Sequence, residues 1–302
     1  IFTDTLQTLF MLISVVVAIV FLASALDLHS ISDVITNAKE SALSKVFFFD
    51  DGNNAQYFWK SFLSGIFITI TMTGLDQDMM QKNLTCKNLK EAQKNMISFS
   101  IVLVFVNILF LVLGLMLTQY AVKNGITATK DDLFPTIAML PEIGIVTSAF
   151  FLLGLIAAAY SSADSALTSL TTSFCIDFLD LENKPNNVQK KIRKQTHVLM
   201  SIILVIVIII FKNYLNTNVI DGLLTVAGYT YGPLLGLFAF GIFTNYQIKD
   251  KYVWIVALCS VLIVLFIGNI PSSSLGNYKI GYELLPLNGL ITFLGLILIR
   301  RK

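Results

Sequence analysis

Charged side chains are scarce in this chain: Asp, Glu, Lys and Arg make up 13% of its 302 residues, whereas a typical soluble domain contains about 25%. Five stretches contain none of them: residues 5–26, 96–122, 143–163, 222–248 and 252–278. Each is long enough to hold the helix of about 20 residues that crosses a bilayer. So many uncharged stretches in one chain exclude an ordinary soluble domain.

Regular alternation of apolar and polar residues is also missing from these stretches, which argues against the strands of a membrane β-barrel. Three shorter runs, 61–75, 195–211 and 284–299, are uncharged as well. The sequence therefore predicts an all-α membrane protein, a multi-spanning helical bundle. Its eight predicted spans are residues 3–26, 58–75, 96–119, 142–177, 196–211, 218–244, 252–269 and 284–299.

Cysteine and histidine are nearly absent, with three and two residues respectively. Cys86, Cys175 and Cys259 show neither metal-ligand spacing nor a disulfide framework. We expect His29 and His197 near membrane edges, far from the polar stripe described below. A nucleophile paired with a base is then not expected, and the sequence predicts that the protein is not an enzyme.

Lys and Arg are distributed unevenly between the loops. The segments 76–95, 178–195, 245–251 and 300–302 contain 14 of the 21, and the alternate loops contain six. Cytoplasmic loops carry the excess of Lys and Arg in membrane proteins. We therefore predict an integral, multi-pass protein of the plasma (inner) membrane with a cytoplasmic C-terminus.

A polar stripe interrupts the predicted span 142–177. On a helix, Ala158, Ser161, Ser162 and Ser165 follow the spacing i, i+3, i+4 and i+7 and share one face. Asp164 lies beside them. The stripe continues through Thr168, Ser169 and Thr172.

Such a stripe is costly within a bilayer, since Asp alone costs roughly 2.5–3.5 kcal/mol at this depth. Hydroxyl and carbonyl oxygens are the ligands that a small hard cation prefers, so the stripe is a candidate ion site. The alternative is that Ser and Thr bond back to the carbonyl four residues earlier. That alternative explains one or two hydroxyls but not the whole stripe with Asp164.

Four further segments are informative. Taken alone, Asp4 at the start of the first span indicates a helix N-cap. Residues 74–82, taken alone, indicate a solvated helix end. The span 218–244 contains Pro233 among several glycines. This span either bends and lines a cavity or packs closely through its small residues. The outer segment 119–141 is either an amphipathic lid or a surface loop.

Together these segments resemble the sodium:solute symporter family. Thr3-Asp4-x-x-Gln7 is similar to the start of the family's fifth core helix. Gly74-x-Asp76-Gln77-x-x-x-Gln81-Lys82 is similar to the inner end of the sixth. The third motif, Ala157-Ala158-x-x-Ser161-Ser162-x-Asp164-Ser165-x-Leu167, resembles the eighth, which holds the family's sodium site.

The resemblance implies a LeuT-like inverted-repeat transporter fold with sites at the membrane midplane. It implies sodium as the co-transported ion, bound by the Ala158 carbonyl and the Ser161 and Ser162 hydroxyls. In members with a second sodium, the corresponding positions are Asp4, Asp164 and Ser165.

The resemblance also implies a small organic solute as substrate. The residues expected to face it are Thr69, Met72, Thr73, Tyr229 and Thr230. Sugar carriers of the family have a gating Tyr and a stacking Trp where this chain has Met72 and Thr73, and Leu224 replaces a sugar-bonding Gln. A hexose would lose several contacts here.

The expected organisation is a single transmembrane transporter domain over residues 1–302, a fragment that lacks about five N-terminal spans of the family's core. The expected function is sodium-coupled symport by alternating access, with the lipid bilayer and the solute as partners and no nucleic acid. The alternative is a solute sensor that uses the same fold without transport.

Overall fold

The computed structural model describes residues 2–76, 80, 83–128, 130–214 and 218–301, with the backbone alone at 2–4, 146, 147, 161 and 214. In that part of the chain the secondary structure is helical apart from one isolated β-bridge, between Ile248 and Arg300. The α-helices are α1 Phe2–Ala25, α2 Ile31–Glu40, α3 Phe58–Thr69, α4 Leu89–Asn124, α5 Leu133–Ala138, α6 Ile145–Ser173, α7 Asn186–Tyr214, α8 Val219–Phe243, α9 Val253–Gly268 and α10 Leu284–Leu298. The all-α prediction is confirmed.

Among the described residues, six helices are long and apolar enough to cross a membrane: Thr5–Ala25, Leu89–Asn124, Ser148–Phe178, Asn186–Asn213, Val219–Phe243 and Asp250–Gly268. They correspond to six of the eight predicted spans. The other two, 58–75 and 284–299, are shorter helices. At 1.5 Å per residue the 15 residues of α10 reach only about 22 Å, less than the ~30 Å core of a bilayer. The count of eight therefore stays a prediction.

The chain divides into two compact units. The first unit comprises Ile1–Ser44 and Asn83–Asn216, and the second comprises Lys45–Lys82 and Thr217–Lys302. All the positions predicted to bind sodium belong to the first unit. All the positions predicted to face the solute belong to the second.

The first unit is built on the packing of α1 along α6 and against α4. The helices α1 and α6 approach closely at Gly154, where an added Cβ would lie 2.9 Å from the Cβ of Ser14. The short helix α5 covers the end of this core through Ile137, which is 1% exposed. Segment 119–141 thus includes a helix that packs on the bundle, as the lid interpretation predicts.

The second unit is built on α8 packed against α10, with α3 and α9 beside α10. Gly232 and Gly236 of α8 have no room for a side chain, because an added Cβ would lie 2.2 Å from the Asn288 Cβ or 2.5 Å from the Thr292 Cβ. Close packing through small residues, one of the two interpretations of this span, is therefore confirmed.

Gly154→Ala should lower the free energy of unfolding of the intact protein by about 1–3 kcal/mol, because the new methyl group would overpack the α1–α6 contact. Chemical denaturation in detergent would measure it. Gly114→Ala on α4 is the matched control, since an added Cβ there meets no atom within 4 Å. It should be neutral or stabilising by about 0.5–1 kcal/mol. Equal effects of the two variants would contradict the close approach at Gly154.

Candidate functional site

The polar stripe lies on one continuous helix, α6. Ala158 and Ser165 are half-buried, whereas Ser162 and Asp164 are exposed. The side chain of Ser161 lies outside the described residues. Because a carboxylate against lipid costs roughly 2.5–3.5 kcal/mol, the Asp164 face of α6 must lie against water, an ion or protein.

The start of α1 lies beside this stripe. A cavity of about 260 Å³ is lined by Gln7, Phe10, Leu153, Ile156, Ala157 and Tyr160. Ser14, further along α1, meets Gly154, so α1 and α6 run antiparallel. The structure thereby brings the first and third sequence motifs together, although the side chain of Asp4 lies outside the described residues.

Two buried oxygens in the first unit have no hydrogen-bond partner within the described part of the chain. They are Gln7 Oε1 and Ser169 Oγ. An unpaired buried polar atom costs about 1–3 kcal/mol, so each is available to an ion or a water molecule. Gln7 was not predicted as a site residue, yet its place one turn after Asp4 in the first motif is the signal that identifies it.

The C-terminal end of the stripe meets α7. Thr171 Oγ1 lies 3.2 Å from His197 Nδ1. Thr168, Thr172 and His197 are among the residues lining a cavity of about 390 Å³. The expectation that His197 is far from the stripe is therefore wrong, because α7 packs against α6 in a way that the sequence pattern does not encode. Thr172 bonds back to the Thr168 carbonyl at 2.8 Å, so the back-bonding alternative holds for that residue.

The predicted solute-facing residues of the second unit lie on two elements in contact. α3 continues into a π-helical turn, Ile70–Gly74, which packs against α8. Met72 and Thr73 are half-buried in that turn, and π turns are frequent at functional sites. Thr71 is fully buried, and its hydroxyl donates to the Phe67 carbonyl at 2.6 Å.

Two of the predicted solute-facing hydroxyls bond within their own helices. Thr69 donates to the Gly65 carbonyl at 2.8 Å, and Thr230 donates to the Val226 carbonyl at 2.9 Å. Both side chains are exposed, so their oxygens can still accept a hydrogen bond. Tyr229 is half-buried. Of the second motif, Gln77, Gln81 and Lys82 lie outside the described residues.

A polar cluster holds the start of α3 against the segment before α10. Lys60 Nζ lies 3.5 Å from Glu283 Oε1, 2.8 Å from the Lys279 carbonyl and 3.8 Å from the centre of the Tyr278 ring. The Tyr278 hydroxyl donates to Glu283 Oε1 at 2.9 Å. Burial, and then this hydrogen bond to a carboxylate, raise the pKa of Tyr278 to about 12.

The start of α8 is held in the same region of the second unit. The Tyr282 hydroxyl donates to Asp221 Oδ1 at 2.5 Å. Burial and this hydrogen bond raise the pKa of Tyr282 to about 12. The two tyrosines therefore fix the ends of α3 and α8, the helices that carry the predicted solute-facing residues.

The raised tyrosine pKa values predict a loss of stability at alkaline pH. The fold favours the neutral phenols, so their contribution is complete below the ordinary pKa of 10.0 and is lost as pH rises through about 12. In thermal unfolding of the purified protein, Tyr278→Phe should lose less stability than the wild type between these pH values. Tyr246→Phe, at an exposed tyrosine of the same unit, should keep the wild-type profile. Identical profiles for all three proteins would contradict the assignment.

Comparison with known proteins gives a family and one curated relative. The model of the sodium:solute symporter family matches residues 1–267. A sodium/sialic acid symporter, NanT of Aliivibrio fischeri (strain ATCC 700601 / ES114), is 25% identical over 186 residues, which are 59% of this chain and 36% of that protein. The chain thus spans little more than a third of the length of this relative.

The family match includes all three sequence motifs and the helices α1 to α8. It also agrees with the membrane-length helices of the structure. The resemblance inferred from the motifs is therefore confirmed, and the chain belongs to the sodium:solute symporter family.

Proposed function

We propose that the protein is a secondary active transporter that couples uptake of a small organic solute to the entry of sodium. Membership of a symporter family supports this function. We further propose a single transporter domain with the LeuT-like inverted-repeat fold in the plasma membrane. The excess of Lys and Arg in alternate loops supports a cytoplasmic C-terminus. Neither the comparisons nor the described residues favour the sensor alternative.

The observation that carries the proposal is the meeting of α1 with the polar stripe of α6. Gln7 Oε1 is buried there without a partner in the described part of the chain, and oxygen ligands suit a small hard cation. We assign the first sodium to the Ala158 carbonyl and the hydroxyls of Ser161 and Ser162. A second sodium would be bound by the set Asp4, Asp164 and Ser165.

The solute site is proposed in the second unit, at the π turn and α8. The residues assigned to it are Thr69, Met72, Thr73, Tyr229 and Thr230. With Thr69 and Thr230 bonded back into their helices, both hydroxyl oxygens can accept from a solute donor. Sialic acid, the solute in the relative's name, is the first probe to test, because a carboxylated sugar differs in charge from the hexoses whose stacking residues are missing here.

Transport would follow from alternating access. Each sodium that crosses a potential of 100 mV contributes about 2.3 kcal/mol. Sodium drives the cycle only if it binds the outward-open state more tightly than the inward-open state. Asp164, exposed beside the stripe, would gain a counter-charge in the sodium-bound state and lose it on release to the cytoplasm.

The sodium site predicts that Ser162→Ala weakens sodium binding, because the variant removes one oxygen ligand. The intact protein should be stabilised against heat by sodium and not by potassium. In the variant the half-maximal sodium concentration should rise about tenfold, equivalent to about 1.4 kcal/mol. Ser100→Ala is the matched control, since Ser100 is exposed on α4 and bonds back to the Met96 carbonyl at 2.9 Å. Its sodium dependence should be unchanged.

An unaltered sodium dependence in Ser162→Ala would remove Ser162 from the site. If sodium does not stabilise the wild-type protein at up to ~100 mM, an amount well above a millimolar dissociation constant, sodium coupling itself is contradicted. Asp4 and Asp164 would then be tested as proton carriers.

A further inference from the structure

Pro233 creates a local defect in α8. A proline has no backbone N–H, so the carbonyl four residues earlier, that of Tyr229, receives no helical hydrogen bond. In the interior of a membrane protein no bulk water replaces the missing donor. The freed carbonyl belongs to one of the residues assigned to the solute site.

Asn288 of α10 supplies the missing donor. Its Nδ2 lies 2.8 Å from the Tyr229 carbonyl oxygen and 3.3 Å from that of Gly228. The side chain is completely buried. Because two carbonyl oxygens can only accept, the amide nitrogen must face them, and the orientation of the amide follows from the chemistry.

Gly232 makes this contact possible. A Cβ at Gly232 would lie 2.2 Å from the Cβ of Asn288 and 2.5 Å from its Nδ2, so any larger residue would displace the amide. Gly232, Pro233 and Asn288 therefore act together. The proline leaves the Tyr229 carbonyl without a helical donor, the glycine leaves room for the asparagine side chain, and the asparagine donates to the carbonyl.

Burying the side-chain amide of Asn288 costs free energy, and only its donated hydrogen bonds offset that cost. Its Oδ1 is buried without a partner among the described residues, and an unpaired buried acceptor costs about 1–3 kcal/mol. An apolar side chain of similar size would avoid this cost. The hydrogen bonds made by Nδ2 are thus the contribution that offsets it.

We propose that Asn288 is a positioning residue that fixes the course of α8 at Pro233 and thereby orients Tyr229 and Thr230. The part of this proposal that concerns the orientation of α8 is supported by the contacts described above. The consequence for solute binding rests on the proposed function. Asn288 does not itself contact the solute; it acts through the backbone of Tyr229.

A double-mutant cycle tests the hydrogen bond. In Pro233→Ala the restored N–H of residue 233 can donate to the Tyr229 carbonyl, so the amide of Asn288 becomes redundant. Asn288→Ala should lower the unfolding temperature of the intact protein in the wild-type background, and by at most about half as much when combined with Pro233→Ala. Equal losses in both backgrounds would show that Asn288 only fills volume.

Thr292→Val is the matched control. Thr292 is fully buried one turn further along α10, where its Oγ1 lies 2.8 Å from Ser260 Oγ and 2.9 Å from the Asn288 carbonyl oxygen. Its loss should be the same with and without Pro233→Ala. If Asn288→Ala alone does not fold, folding of the double variant supports the proposal, and failure of both overturns it.

Two readouts separate positioning from stability. With Cys86, Cys175 and Cys259 replaced by Ser, a Thr230→Cys substitution on exposed Thr230 reports its orientation through its rate of reaction with a maleimide. Asn288→Ala should change this rate, and adding Pro233→Ala should restore it; an unchanged rate would overturn the positioning role.

In proteoliposomes with sialic acid as the probe, Asn288→Ala should raise KM more than it lowers kcat. A lack of uptake by the wild type would count against the proposed substrate, and the cycle and the labelling would still decide the role of Asn288.

Discussion

Polar groups within these apolar helices need partners inside the protein, because a bilayer offers none. The two units meet this requirement at different groups. In the second unit, the carbonyl freed by Pro233 is paired by Asn288, and Thr292 lies within hydrogen-bond distance of Ser260. In the first unit, Gln7 Oε1 and Ser169 Oγ lack partners among the described residues, and Asp164 is exposed. Glu283 Oε2 and Asn288 Oδ1 of the second unit also lack partners among the described residues. The unpaired oxygens of the first unit differ in that they lie on the helices to which sodium is assigned.

This difference suggests a division of labour within the chain. The α1–α6 pair presents oxygen atoms that a cation can complete. The α3–α8 pair carries a π turn and a helix that contains a proline. Hydrogen bonds from the Thr71 and Asn288 side chains support them, and Tyr278 and Tyr282 fix the ends of the pair. An ion site with unpaired acceptors gains most from its ligand, whereas a solute site benefits from a backbone that is fixed before binding.

Much of the fold could be predicted from the sequence, because long uncharged runs have few alternatives to membrane helices. The stripe from Ala158 to Ser165 was recognisable because its spacing matches the helical repeat. The proximity of Gln7 to Ala157 followed only from the helix packing. Helix lengths were the weaker predictions. α10 is only 15 residues long. α7 begins at Asn186, ten residues before its predicted span, because its charged first turns extend beyond the apolar segment.

Contacts between residues distant in sequence could not be predicted. Asn288 and Tyr229 are 59 positions apart, and a single asparagine within an apolar run gives no sign of its partner. Thr171 and His197 lie on two different helices, α6 and α7, and are 26 positions apart. Such pairs depend on the register with which two helices pack, and periodicity within one helix carries no information about that register.

The central claim is that a sodium gradient drives solute uptake, and accumulation in proteoliposomes made from the intact protein tests it most directly. The solutes would be sialic acid, other sugars, amino acids and carboxylates, each with an inward sodium gradient or an equal potassium gradient. The account predicts that one solute class accumulates above its external concentration with sodium only. Uptake that merely equilibrates, or that is the same with potassium, would contradict it.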